Sequence, residues 1–178
     1  NRDGSEGKLC GNGARCVAKY LYDSGIVKKQ KMTLETASGI SHLELTTREG
    51  KVVRVKADMG KVSFAPDKFA FPEVDADRLL SVQAVLGGDE YTCSAVSMGN
   101  PHAVTFWKKL EDAPFDNLGP KLECDGLFPE KTNVEFVEIL SDNEIRVRVF
   151  ERGCGETMAC GTGACASTVA AVLNGYTG

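Results

Sequence analysis

The sequence predicts an α+β fold made of two pseudo-symmetric halves, each a mixed sheet wrapped around a central helix. Three observations carry this. Residues 1–16 align without gaps on residues 151–166, each copy runs into an apolar segment free of Gly and Pro, and the chain between alternates apolar with polar residues in short runs. Six aligned positions are identical: Arg2/Arg152, Glu6/Glu156, and the Cys-Gly-x-Gly-Ala that begins at Cys10 and again at Cys160.

The first helix should open at the Gly11-Asn12-Gly13 turn and run through Tyr22. Apolar residues at 17, 18, 21 and 22 supply its buried stripe. Gly25 is a natural left-handed stop. Strand-like alternation follows at Met32–Thr36, His42–Thr46 and Val52–Ala57, with Glu49-Gly50 turning between the last two. After Met59-Gly60 the texture loosens through Pro66 and Pro72, as a crossing between halves 1–58 and 59–178 would. Asp75–Leu86 has helical spacing. Tyr91–Met98, His102–Trp107, Asn133–Ile139 and Glu144–Phe150 read as strands. A final helix, Gly163–Leu173, is apolar all round and so is expected to be buried on every side.

Bulk properties narrow the function. The net charge of −4, from 21 basic and 25 acidic residues, argues against nucleic acid as a partner, and Lys28-Lys29-Gln30-Lys31 reads as a solvated loop. No apolar run approaches the roughly 18 residues of a membrane span, and the polar N-terminus does not resemble a signal peptide. Seven cysteines in a chain this long, without secretory features, read as reduced thiols in the cytoplasm. The opening lacks Met and falls inside a motif, so an internal piece of a longer protein is expected.

The doubled Cys-Gly-x-Gly carries the chemistry. A thiol at a helix N-terminus can be a stabilised thiolate, because the helix lowers its pKa. The same turn leaves backbone N–H groups without helical acceptors, which makes an anion site suited to a carboxylate. Two such thiols facing one carbon could remove a proton from one side and return it on the other, so Cys10 and Cys160 point to an inverting, racemase-type site. Cys16, Cys93, Cys124 and Cys165 read as packing residues, and Cys154 stays undecided. Gly161–Ala166 matches the dinucleotide pattern G-x-G-x-x-A, but the required apolar strand does not precede it. Cys154, Cys160 and Cys165 lack the C-x2-C pair of a zinc site, so no metal is expected. Taken singly, Glu151-Arg152 suits a surface salt bridge, Asn100 and Asn133 suit turns, and His102 suits a structural role.

Together these motifs resemble a known family. Asn1–Glu6 leading to Cys10–Gly13, and Glu151–Gly163, are similar to the two signatures of diaminopimelate epimerase. Gly99-Asn100-Pro101-His102 and Thr132-Asn133-Val134 look like its internal motifs, in the right order. The resemblance covers the whole chain, although the family's opening and closing segments are absent, so the first half would be incomplete. Cys154 stands where the family more often has a small polar residue. The resemblance implies an epimerase without a cofactor that interconverts LL- and meso-2,6-diaminopimelate in lysine and peptidoglycan-precursor synthesis. Cys10 and Cys160 would be the acid/base thiols, and Gly11, Asn12, Gly161 and Thr162 would hold the reacting carboxylate. Asn1, Asn100, Asn133, Glu151 and Arg152 would hold the amine and the distal end, while His102 and Glu151 tune the site. The expected partner is the small-molecule substrate, with no nucleic acid and no membrane, and a homodimer is left open. A proline-type racemase or another isomerase of the same fold that lacks the thiol pair, and, from another class, a thiol redox or metal-binding protein, are the competing readings. Asn12 and the Glu151-Arg152 pair favour diaminopimelate.

Overall fold

The computed structural model describes residues 10–64, 80, 82–86 and 89–178. The chain forms two compact units, divided between Gly60 and Lys61. Asn1–Leu9 and the segment containing Pro66 and Pro72 lie outside the described residues.

In the first unit, helix α1 (Gly11–Asp23) packs on an antiparallel sheet of β1 (Lys31–Thr36), β2 (Gly39–Arg48) and β3 (Lys51–Ala57). Alternation drives β2, which buries Ser41, Leu43 and Leu45 on one face and exposes the residues between. Their partners are Ala14 and Ala18 of α1 and Val52 of β3. The helix buries the line 11, 14, 18, with Tyr22 half-buried against the same core, so Ala18 and Tyr22 of the expected stripe are covered while Val17 is exposed. Small side chains let the helix lie close to the sheet, and Val17 sits about 100° around from that line. Asp23 ties the helix end to β3, because its carboxylate accepts from Val52 N at 2.8 Å and from Lys19 Nζ at 2.7 Å. Glu49 and Gly50 both take positive φ, 52° and 74°, which gives the tight hairpin between Arg48 and Lys51 its proper twist.

The second unit holds six strands in sequence order: β4 (Val82–Leu86), β5 (Asp89–Ser97), β6 (Pro101–Trp107), β7 (Asn133–Ser141), β8 (Glu144–Glu151) and β9 (Gly155–Thr157). All neighbours are antiparallel except β6 and β7, which run parallel, with His102 opposite Asn133. A parallel pair needs a crossover, and here it contains helix α2 (Phe115–Glu123). Phe115, Leu118 and Leu122 of α2 cover the sheet face of Cys93, Ala95, Ala103, Val134 and Phe136. Helix α3 (Gly161–Leu173) lies against β5 to β8.

Four expectations are corrected. Val82–Leu86 is a strand, not helix; most of the rest of Asp75–Leu86 lies outside the described residues. Val-Gln-Ala-Val-Leu satisfies both periods, and pairing with β5 decides. Helix α2 and strand β9 were not foreseen, since Gly119-Pro120 reads as a break and β9 has only three residues. Helix α3 is buried on one face only. Thr162, Gly163, Ala166, Ser167, Ala170 and Ala171 are covered, whereas Ala164, Thr168, Val172 and Leu173 are exposed. Its small residues serve close packing on the sheet rather than burial all round. Finally, Cys93 is buried as expected, but Cys16 and Cys124 are exposed and Cys165 is half-buried. Among the described residues, no helix is long and apolar enough to cross a membrane.

Candidate active site

The repeat is repeated in three dimensions, bond by bond. Cys10 is the N-cap of α1 with φ −113° and ψ 105°, and Cys160 is the N-cap of α3 with φ −116° and ψ 119°. Each sulfur accepts a hydrogen bond from the backbone N–H three residues on, Gly13 at 3.3 Å and Gly163 at 3.4 Å. Each cap carbonyl then accepts from Ala14 or Ala164 at 2.9 Å. Thirteen residues later both helices end alike: Ser24 and Asn174 cap them, and Gly25 and Gly175 follow at φ 73° and 72°. The structural repeat thus extends well beyond the residues that match in sequence. A thiol takes the place usually held by Ser, Thr, Asp or Asn, the preferred N-cap residues. The N–H groups of the first helical turn, including Gly161 and Thr162, have no acceptor within the helix and remain disposed toward an anion.

Around Cys160 the side chains form one continuous chain of hydrogen bonds. The Cys160 sulfur lies 3.3 Å from Thr162 Oγ1, which accepts from Asn100 Nδ2 at 3.3 Å. Asn100 Oδ1 lies 3.1 Å from His102 Nε2, and His102 Nδ1 lies 2.7 Å from Glu135 Oε1. His102 and Glu135 are both fully buried. Glu135 approaches so closely beneath α3 that a Cβ on Gly163 would fall 2.5 Å from Oε1. Burial pushes the Cys160 thiol above its ordinary range. The Thr162 hydroxyl and Gly163 N–H pull it back, while the Glu135 and Glu151 carboxylates raise it further. The expected stabilised thiolate is therefore reversed at Cys160, which is held as the thiol because burial outweighs the helix donors.

The other expected residues take more varied places. Glu151 closes β8 and accepts from the Thr157 hydroxyl at 2.8 Å. Arg152 Nη1 donates to the Glu130 carbonyl at 3.0 Å. Asn133 is nearly fully buried and is used at both ends by backbone: Nδ2 donates to the Pro101 carbonyl and Oδ1 accepts from Arg152 N, both at 3.0 Å. It staples β6, β7 and the β8–β9 turn together. Asn12 accepts from the Arg15 guanidinium within α1.

The second unit thus brings together Asn100, His102, Cys160 and Thr162, with Asn133 joined to Arg152 beside them. Cys10, Gly11 and Asn12 belong to the first unit, and Asn1 lies outside the described residues. Glu135 is the residue sequence reasoning missed. The signal was present: in Asn133-Val134-Glu135-Phe136 the alternation puts Glu135 on the same face as Asn133, although flanked by apolar neighbours.

The fold is similar to that of several solved structures. It matches a hydroxyproline epimerase from Agrobacterium vitis with a TM-score of 0.67 at 17% identity, over 96% of this chain and 54% of that one. A probable proline racemase from Agrobacterium radiobacter K84 gives 0.66 at 19%, with the same coverage. A phenazine biosynthesis protein of the PhzF family from Bacillus anthracis gives 0.57 at 16%, over 95% and 58%. At these identities the likeness concerns the fold alone. The family is defined by sequence: the diaminopimelate epimerase model matches residues 1–65 and 94–178, and the chain belongs to that family. A diaminopimelate epimerase from Pelotomaculum thermopropionicum is 50% identical over 178 residues, all of this chain and 63% of that relative. One from Geobacillus thermodenitrificans is 49% identical over 177 residues, 99% of this chain and 61% of that relative. The chain spans a little over 60% of the length of these relatives.

Proposed function

We propose that the chain carries the catalytic core of a cytoplasmic epimerase that interconverts LL- and meso-2,6-diaminopimelate without a cofactor, its two halves being residues 1–58 and 59–178. The matched pair of N-cap cysteines, in a member of this family, is the observation that supports it. In this reading Cys10 and Cys160 address opposite faces of the substrate α-carbon. With Cys160 protonated, the Cys10 thiolate takes the α-proton. The electron pair left on carbon is stabilised through the carboxylate by the N–H groups of Gly11, Asn12, Gly161 and Thr162, and the Cys160 S–H then protonates the other face. The product leaves Cys10 as thiol and Cys160 as thiolate, the form that runs the reverse reaction. Asn1, Asn100, Asn133, Glu151 and Arg152 bind the amine and the distal end, with His102 and Glu151 tuning the site. Asn133 accepts from the Arg152 backbone N–H and so fixes the turn that carries Arg152.

The test uses the full-length gene product in D2O. Initial product should carry solvent deuterium at the inverted carbon while unreacted substrate stays unlabelled. Cys10→Ser and Cys160→Ser should each abolish epimerisation. Near-normal epimerisation by either variant would refute the two-base assignment, and turnover of proline but not diaminopimelate would favour the proline-type racemase.

A further inference from the structure

Glu135 is a buried carboxylate that none of the roles above uses. Its Oε1 meets His102 Nδ1, and its Oε2 has no hydrogen-bond partner although fully buried. A buried carboxyl with one oxygen left unbonded is costly, so a structural role alone would favour an apolar side chain. Among the described residues, the equivalent helix start in the first unit has no such neighbour. A Cβ on Gly13 would meet only Cys10, at 3.5 Å, whereas one on Gly163 would strike Glu135. The repeat is therefore equal at the thiols and unequal beneath them.

The hydrogen bonds around Cys160 also have a direction. Asn100 spends its amide N–H on Thr162 Oγ1, so its Oδ1 accepts, and the donor must be His102 Nε2–H. Thr162 Oγ1, having accepted, has its own hydrogen left for the Cys160 sulfur. With the sulfur deprotonated, every donor from His102 Nε2 onward points toward Cys160. That arrangement suits the sulfur when it has given up its proton, and it holds only while the His102 ring is fixed from behind.

We propose that Glu135 is a positioning residue for Cys160: it fixes the His102 ring, and the His102–Asn100–Thr162 chain thereby aims the Thr162 hydroxyl at the Cys160 sulfur. This rests on the reading of Cys160 as one of the two acid/base thiols.

Reach, rather than charge, is then what matters at position 135. Glu135→Gln keeps the reach, because its amide can bond Nδ1 either way, accepting through Oε1 or donating through Nε2, whereas Glu135→Asp keeps the charge and falls short by a methylene. In the full-length protein, Asp should lower kcat about tenfold with KM little changed, a part of the roughly 100- to 10,000-fold that a positioned acid or base supplies. Gln should stay within about threefold of wild type. The reverse order, or a Gln variant that folds and loses tenfold, overturns the proposal.

A second readout needs no substrate. The pH profile of Cys160 alkylation, read by peptide mass, should move to higher pH in Glu135→Asp and in Thr162→Val, with no further movement when the two are combined. Cys165, one turn along α3, should keep its own profile. Additive shifts, an unmoved Cys160 profile, or equal shifts at Cys165 refute the chain. Thr162→Val against Thr162→Ser decides the last link even if Glu135→Asp fails to fold. Should the full-length protein not act on diaminopimelate at all, the alkylation profile still judges Glu135, so the two failures are separable.

Discussion

Alanine at the two equivalent glycines of the repeat should have opposite effects. At Gly13 a Cβ meets, among the described residues, Cys10 atoms at 3.5 Å, ordinary van der Waals contact, so Gly13→Ala should gain about 0.5–1 kcal/mol through helix propensity. At Gly163 the same methyl would fall 2.5 Å from Glu135 Oε1, 3.2 Å from Cys160 Cβ and 3.3 Å from Glu135 Cδ. Overpacking of this kind costs about 1–3 kcal/mol, and displacing Glu135 strands the His102 ring for about 1–3 kcal/mol more. Less the propensity gain, Gly163→Ala should lose about 1–5 kcal/mol, a fall in Tm of very roughly 3–20 °C. Trp107 is the single tryptophan and lies in the second unit, so its fluorescence follows unfolding there. Amide exchange along α1 reads the Gly13 variant. A Gly163→Ala protein as stable as wild type, or a Gly13→Ala protein destabilised alongside it, would refute the packing of Glu135 against α3.

Other outcomes follow from buried groups. Burial, with the nearby Asp125 charge, pushes the Cys93 thiol up to about 12, so between about pH 8.5 and 12 the folded state binds more protons there than the unfolded state. Its stabilising contribution is complete below about pH 8.5 and is lost as pH rises toward 12; Cys160 adds in the same sense. Urea midpoints followed through Trp107 should fall above about pH 8.5, and fall less in Cys93→Ala. Exposed Cys10, Cys16 and Cys124 should react with a thiol reagent in the native protein while Cys93 waits for unfolding, as peptide mass mapping would show. Asn133→Ala strands the Pro101 carbonyl and the Arg152 N–H and should destabilise the second unit by about 2–4 kcal/mol, measured by the same urea titration. The Lys19 and Val52 hydrogen bonds hold the Asp23 carboxyl below its ordinary value, so its contribution is present above about pH 4 and lost as pH falls below that. Asp23→Asn should flatten the acid side of the α1 exchange profile.

What could be read from the sequence follows a physical divide. The helices that begin at Cys10 and Cys160 were legible because caps are local, a turn chemistry written in consecutive residues. Strands β2, β3 and β5 to β8 were legible because alternation against a core is local too. Val82–Leu86 failed because five residues fit either period and only Cys93 and Tyr91 across the sheet choose. Helix α2 failed because Gly119-Pro120 hides the spacing of Phe115, Leu118 and Leu122. Asn100, His102 and Thr162 could be named as candidates, but not the order in which they bond. The exposure of Cys16 and the placement of Glu135 are decided by packing partners far along the chain, which no window of sequence contains.

The parallel pairing of β6 and β7 also sets a schedule for folding. Strands β5 and β6 are joined by a tight turn, and β7 and β8 turn through Asp142 and Asn143. To lay β7 beside β6, residues 108–132 must first be brought round. By loop-closure entropy alone, that ring of about 25 residues costs about 2 kcal/mol more than a two-residue hairpin. The contacts His102–Glu135 and Asn133–Pro101 span this ring, so they form after the hairpins on either side. Strand signal should therefore return before the surroundings of Cys160 do, and for a short interval during refolding that sulfur is an ordinary, accessible thiol.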